Sequence, residues 1–241
     1  RRRDRARRPS GRDVAGLRDA AILSLGYDAG LRVSELVAVA VELMEAQEDG
    51  SGLLEVPHSK ADQEGQGAWV WLSPDTMRRV ALWREAASIR AGALFRRVAV
   101  IRTKPREARR ALAIEDLAYH ARVDRERMAA RPARAATVTY GIGERALTPA
   151  AMRLIIKRTA LAAADQGLVD LMGADLDHAI DALSTHSLRV GLTQDLFANG
   201  EDAGPIAQAL RWTSTATALR YGRKLAPSSN AAARMLKGVR K

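Results

Sequence analysis

Apolar and small residues recur at helical spacing near the start of the chain. From Val14 to about Asp28 they follow the 3.6-residue period of a helix with one buried face. The pattern stops at Asp28-Ala29-Gly30, and a second helical pattern runs from Val33 to Val41. The sequence therefore predicts two consecutive helices joined by a short, glycine-containing turn.

Two later helices are marked by their first residues. Ser73-Pro74 and Thr148-Pro149 each place a capping hydroxyl before a proline in the first helical turn. Apolar residues continue from the first of these pairs to Ile89, and from the second through AAMRLIIKRTALAAA. Further helices are predicted over residues 176–183, 187–199, 204–210, 214–221 and 229–238.

Strand patterns occur between the second and third helices. The segments LLEVPHSK (53–60) and AWVWLS (68–73) are rich in β-branched, aromatic and other apolar residues, and the turn-prone ADQEGQG separates them. They predict a small antiparallel ribbon. The expected fold class is mostly α with a small antiparallel β-sheet (α+β), in one domain over residues 14–241 after a basic linker or arm at 1–13.

Residues 102–142 have no strong apolar period. This segment contains many arginines and is predicted to hold a helix around 113–129 and a loop around 131–137.

The charge balance narrows the choice of partner. The 241 residues include 39 Lys and Arg against 28 Asp and Glu, a net charge of +11. Such a surplus attracts polyanions, of which nucleic acid is the commonest, while a membrane surface is the weaker alternative. No run of about 18 apolar residues occurs, so no membrane span is predicted.

Candidate metal ligands are few. The chain has no cysteine, and its four histidines are widely separated in sequence. Thiolate metal sites and disulfides are excluded, and no histidine pair has metal-ligand spacing. We expect neither a metal ion nor an organic cofactor.

Three short motifs carry candidate chemistry. GLRVSEL places Arg32 three residues before Glu35, and THSLRVG places His186 three residues before Arg189, so each pair shares a helix face. The third motif, RWTSTATALRYGRKL, surrounds Tyr221 with cations. Taken singly, these are more often a surface ion pair, a core histidine and an amphipathic tyrosine.

The order of the motifs is more specific than any one of them. An arginine in G-L-R-x-S-E-L, a lysine at a β-turn (Lys60), H-x-x-R, a tryptophan (Trp212) and a tyrosine ending a short helix resemble the tyrosine recombinase, or phage integrase, family. The resemblance covers most of residues 14–240. Most members carry histidine at the tryptophan position, so the spacing and Trp212 are most similar to the Cre-like subset.

The resemblance implies that the chain cleaves DNA. Tyr221 would attack the scissile phosphodiester and form a 3′-phosphotyrosyl link. Arg32 and Arg189 would clamp the nonbridging oxygens, because guanidinium forks match phosphate and the charge grows in the transition state.

The remaining residues of the motif would assist. Lys60 would protonate the leaving oxygen as a general acid, and His186 would take or share the tyrosine proton or hydrogen-bond the phosphate. Trp212 would supply an indole N–H and packing area. Glu35 would position Arg32.

The family also implies an assembly. The expected partner is double-stranded DNA with a specific recombination site, bound by a homotetramer in which the C-terminal helix (228–241) is exchanged between protomers. Family members usually carry an upstream helical domain that this sequence lacks, so we expect the sequence to be part of a longer protein. Residues 102–142 would be an insertion.

Two other activities fit the same motifs. A type IB topoisomerase uses a similar set of residues to nick and reseal DNA, and a non-catalytic DNA-binding module could keep the same fold. The expected location is the cytoplasm, associated with the nucleoid, in a bacterial, phage or plasmid context.

Overall fold

The computed structural model describes residues 13–57, 67–113 and 128–222. Several predictions lie outside these ranges: Lys60 with its turn, most of the helix predicted over 113–129, the basic arm before residue 13, and the C-terminal helix at 228–241. The chain divides into two compact units. The larger combines Arg1–Arg97 with Glu144–Lys241, and the smaller is Val98–Gly143.

The described part of the larger unit is mainly helical. Most predicted helices are present, with boundaries shifted by at most three residues. In chain order they are α1 (Val14–Asp28), α2 (Val33–Ala38), α3 (Pro74–Ala86), α4 (Pro149–Asp165), α5 (Gly173–Ala182), α6 (Thr185–Ala198), α7 (Ala203–Ala209) and α8 (Thr215–Tyr221), with a single 3₁₀ turn at Val41–Leu43.

Capping side chains begin several of these helices. Asp13 accepts a hydrogen bond from the Ala15 amide at 3.2 Å. The hydroxyls of Ser73 and Thr148 accept from amides three residues later, also at 3.2 Å. Each cap satisfies an amide that the helix itself leaves without a partner.

Helix α1 lies at the centre of the larger unit. It packs against α3 on one side and α6 on another, and Ala21, Ile22 and Leu25 are completely buried. Trp83 of α3 is also completely buried, and its indole Nε1 donates to the Leu94 carbonyl at 2.9 Å. Burial of this apolar face is the main source of stability of the helical layer.

The predicted ribbon is part of a three-stranded antiparallel sheet. Strands β2 (Gly52–Val56) and β3 (Ala68–Leu72) pair as expected, and β1 (Met44–Ala46) adds an edge that was not predicted. Alternate residues of β2 are buried, in keeping with one face on the core and one toward solvent.

A second sheet corrects the expectation of a single one. Strands β4 (Arg96–Thr103) and β5 (Thr137–Ala146) pair with each other, and isolated antiparallel bridges continue beyond them. The segment predicted as a loop over 131–137 has no regular secondary structure up to residue 136 apart from the isolated bridges at Arg131 and Arg134, and Thr137 begins β5. No residue of β4 or β5 is buried, so no alternation of buried and exposed positions marks these strands.

The last described helices share a small core. Phe197, Ile206, Leu210 and Ala218 are buried together, and Trp212 packs against them. This cluster joins α6, α7 and α8, and so fixes the end of the chain segment that carries Tyr221.

Candidate active site

Tyr221 is the last residue of α8, and two side chains hold its ring. The ring of Trp212 is stacked on it, with centroids 5.5 Å apart and planes inclined by 13°. The hydroxyl lies 2.8 Å from Nε2 of His186, the second residue of α6. The phenolic oxygen is therefore already in hydrogen-bond contact with a group that can take its proton.

His186 is neutral at neutral pH in this arrangement. Partial burial lowers the pKa of its imidazole below 6.5, and the positive charges of Arg189 and Arg32 lower it further. A neutral imidazole can accept the phenolic proton at Nε2, whereas an imidazolium cannot. The neighbouring arginines thus keep His186 in the state that a general base needs.

Arg189 is the most deeply buried cation of the site, with 1% of the residue exposed. Its two terminal nitrogens donate to the carbonyls of Gly30 and Leu210. The Trp212 ring lies over the guanidinium, with Cζ 5.1 Å from the ring centroid. These contacts use two of five N–H donors and fix the plane of the group.

Arg189 keeps its positive charge although it is buried. Desolvation lowers the pKa of its guanidinium to about 10, and the charges of Arg32 and Arg211 act in the same direction. Glu35 and Tyr221 act in the opposite direction. A group with a pKa near 10 still carries its charge at neutral pH, so the site holds a concentrated positive field.

Gly30 allows the turn after α1 to approach Leu210 closely. Its φ is +51°, and a Cβ at this position would lie 2.3 Å from the side chain of Leu210. Glycine satisfies both requirements, the left-handed backbone and the missing side chain. The carbonyl of Gly30 is then free to accept from Arg189.

Arg32 and Glu35 form an ion pair at the start of α2. The Arg32 Nη1 donates to Glu35 Oε1 at 2.7 Å, and the Arg32 amide donates to Oε2 at 2.9 Å. The Arg32 side chain is 30% exposed. It is therefore the arginine that an incoming anion can reach directly.

Arg211 belongs to this cluster and was not among the residues predicted for it. Its Nη2 donates to Glu35 Oε2 at 2.8 Å, and its Nη1 donates to the Ala29 carbonyl at 3.1 Å. The side chain is 9% exposed, and within the described residues its Nε is buried without a hydrogen-bond partner. Its φ of +54° places a bulky residue in the left-handed region.

Glu35 holds the two arginines together. Burial acts to raise the pKa of its carboxyl, but the hydrogen bond from the Arg32 amide and the charges of Arg211 and Arg32 outweigh burial, and the pKa is lowered. Glu35 is thus ionised at neutral pH and shared between two guanidinium groups.

Six of the seven predicted site residues lie in one cluster of the larger unit, and Lys60 is outside the described residues. Throughout the ranges 13–57, 67–113 and 128–222 there is no group of three metal-ligating side chains. In those ranges, too, every helix is too short or too polar to cross a bilayer.

Solved structures share this architecture although sequence comparison gives no relative. The sequence matches no protein-family model and no curated protein. A post-cleavage complex of the XerH site-specific recombinase with a palindromic difH substrate superposes with a TM-score of 0.54. The match covers 93% of this chain and 47% of that chain, at 14% identity. The chain has the fold of a tyrosine recombinase catalytic domain.

Two further recombinase structures give the same result. A pre-cleavage complex of XerH with difH matches with a TM-score of 0.51 and 13% identity, over 91% of this chain and 46% of that one. The XerA recombinase matches with a TM-score of 0.51 and 15% identity, over 98% of this chain and 66% of that one. The chain thus spans about half to two thirds of the length of these recombinases.

Proposed function

We propose that the chain is the catalytic domain of a site-specific recombinase that cuts and rejoins DNA strands through a covalent bond to Tyr221. The observation that supports this most directly is the contact of 2.8 Å between the Tyr221 hydroxyl and His186, beside two arginines of the motif. A tyrosine with a neutral base on its oxygen and cations around it is suited to attack a phosphate.

The cleavage step exchanges one phosphoester bond for another. The Tyr221 oxygen bonds to phosphorus as its proton passes to Nε2 of His186, and the bond from phosphorus to the 5′-oxygen breaks. The 5′-oxygen takes a proton from a general acid, for which Lys60 is the candidate, and leaves as a hydroxyl, and the strand keeps a 3′-phosphotyrosine ester. Reversal with a different 5′-hydroxyl rejoins DNA, so the cycle needs no external energy source.

The arginines supply electrostatic stabilisation. Arg32 is accessible and would bind a nonbridging phosphate oxygen directly. Arg189 is buried and oriented by two carbonyls, so its charge is in place before the substrate arrives. Such preorganised charge acts most strongly where negative charge develops in the transition state.

Other parts of the proposal rest on the family pattern. Lys60 would protonate the leaving 5′-oxygen, and Trp212 would mark the Cre-like subset of recombinases. The C-terminal segment at 228–241 would be exchanged between protomers of a tetramer on DNA. The XerH structures are complexes with difH, which supports duplex DNA as the substrate here.

A covalent trapping experiment tests the catalytic role of Tyr221. The protein is incubated with a pool of nicked suicide duplexes of mixed sequence, and adducts are detected on a denaturing gel and mapped by peptide analysis. Wild type should form adducts at Tyr221. Tyr221→Phe should bind the same duplexes and form none, because the nucleophilic oxygen is absent.

Tyr27→Phe is the matched control, since it removes the hydroxyl of a tyrosine that donates to Asp195 and not to a residue of the proposed site, and it should leave adduct formation intact. An adduct formed by Tyr221→Phe, or failure of the wild type to form one across the pool, would contradict the proposal. Trapped adducts followed by strand exchange would distinguish recombination from topoisomerase activity, which yields relaxation alone.

A further inference from the structure

The smaller unit carries a large share of the positive charge of the chain. We call residues 98–113 and 128–143, the part of this unit that the structure describes, the arginine ribbon. These 32 residues contain seven Lys and Arg and one Glu. The whole chain has a net charge of +11, so these few residues carry more than half of the surplus.

The pairing of the ribbon places arginine opposite arginine twice. Arg106 and Arg134 exchange both backbone hydrogen bonds at 2.8 Å, and Arg109 and Arg131 do the same at 2.8 Å. In such a pair the two Cα atoms are only about 5.5 Å apart. The register therefore brings like charges together along the ribbon.

The pairing of Arg106 with Arg134 is unfavourable for the protein by itself. Like charges directly opposite each other destabilise an antiparallel pair, and a two-stranded ribbon is at best marginally stable in water. The strands beyond β4 and β5 bury little that would offset the repulsion, since most of their side chains are exposed. A polyanion laid against the ribbon would remove the penalty.

Most of these cations are available to a partner. Arg102, Lys104, Arg106, Arg110 and Arg134 are exposed, and within the described residues none of them is paired with a carboxylate. Arg106 donates a hydrogen bond from Nη2 to the Pro132 carbonyl at 3.3 Å. Unpaired guanidinium groups match the phosphate oxygens of a nucleic acid backbone.

We propose that the arginine ribbon is a separate binding surface for the phosphate backbone of duplex DNA. The choice of DNA as the polyanion rests on the proposed function, whereas the need for a polyanion rests on the ribbon itself. Contacts of this kind are insensitive to base sequence and position the protein on the duplex. A two-stranded ribbon also has the width that the DNA major groove admits.

The test removes the charges while keeping the strands. Thr103 already faces Thr137 in this ribbon, with their hydroxyls hydrogen-bonded. The double variant Arg106→Thr/Arg134→Thr would place a second threonine pair three residues further along each chain segment, and cross-strand threonine pairs are favourable. Affinity for a long duplex of mixed sequence is measured by fluorescence anisotropy over a range of salt concentrations.

We expect the slope of log affinity against log salt to become shallower by about 2, since each lost phosphate contact contributes about 0.9. Arg106→Lys/Arg134→Lys keeps both charges and should keep the slope of the wild type. The threonine variant should be at least as resistant to protease as the wild type. An unchanged slope in a folded threonine variant would overturn the proposal and point to another polyanion, such as an acidic protein.

The suicide-duplex assay separates the two proposals. Adducts at Tyr221 with an unchanged salt slope would refute the ribbon and support the catalytic function. A shallower slope in a protein that forms no adducts would support the ribbon as a DNA-binding surface and refute the catalytic function.

Discussion

At the scale of single residues, Arg211 combines an unfavourable backbone with favourable side-chain contacts. A left-handed conformation costs a non-glycine residue about 1–2 kcal/mol, and Arg211 has a φ of +54°. The conformation directs its guanidinium to Glu35 and to the Ala29 carbonyl. We infer that Arg211 helps to hold Glu35, and through it Arg32, in place.

Substitutions at Arg211 separate the cost of its backbone conformation from the contribution of its side-chain contacts. Arg211→Ala and Arg211→Gly both remove the guanidinium, but only glycine accepts this φ without strain. We expect the free energy of unfolding to be highest in the wild type, lower in Arg211→Gly and lowest in Arg211→Ala, with about 1 kcal/mol between the two variants. Urea denaturation measures this order. Equal stability of the two variants would show that the backbone relaxes when the side chain is lost.

The sequence could identify the residues of the family pattern but not Arg211. Arg32, Glu35, His186 and Arg189 lie in pairs three residues apart, so local spacing indicates them. The contact of Arg211 with Glu35 joins residues 176 positions apart, and neither its neighbours nor a period marks it. Such a contact follows only from the packing of α2 against the turn after α7.

At the scale of elements, the position of Tyr221 depends on how α8 meets α6. Gly222 follows Tyr221 directly, and a Cβ there would lie 2.2 Å from the ring of Phe197 in α6. Its φ of −90° suits any residue, so the requirement for glycine is steric. Close contact at this point fixes the end of α8 that carries the phenol.

We expect Gly222→Ala to lower the free energy of unfolding by about 1–3 kcal/mol, the usual effect of overpacking a core. It should also slow adduct formation, because a displaced α8 lengthens the contact between Tyr221 and His186. In the double variant Gly222→Ala/Phe197→Leu, the smaller side chain at 197 should restore part of the stability and part of the rate of adduct formation. The coupling energy between the two substitutions should be at least about 1 kcal/mol. Denaturation and single-turnover trapping are the measurements. Additive effects would place the cause away from the Phe197 ring.

Elements with local signals were predictable from the sequence, and elements without them were not. Ser73-Pro74 and Thr148-Pro149 gave helix starts within one residue, because capping chemistry depends on neighbours alone. Strands β4 and β5 were missed because both faces are largely exposed, which removes the alternation that reveals a strand. Strand β1 is only three residues long and is defined by pairing with β2.

At the scale of the whole molecule, the two units differ in what stabilises them. The larger has a hydrophobic core that includes Trp83, Phe95 and Met152, all completely buried. In the arginine ribbon no residue is fully buried among those described. The residues proposed for catalysis lie in the first unit, and the described part of the second has a high density of positive charge. Stability and the proposed chemistry should therefore be separable from the salt-sensitive part of DNA binding.

Replacement of residues 98–143 by Asn-Gly tests this separation. The Leu147 amide donates to the Phe95 carbonyl at 2.9 Å, so the two remaining strand ends lie side by side, and Asn-Gly favours a tight hairpin turn. We expect an unchanged urea midpoint, because the removed residues contribute little to the core. Adducts at Tyr221 should still form at low salt, where fewer phosphate contacts suffice, and should disappear at a lower salt concentration than in the wild type.

A second variant, in which Gly-Gly replaces residues 98–143 in place of Asn-Gly, serves as the control for the linker. Loss of folding in both variants would mean that the smaller unit contributes to the stability of the larger one, contrary to the division proposed here.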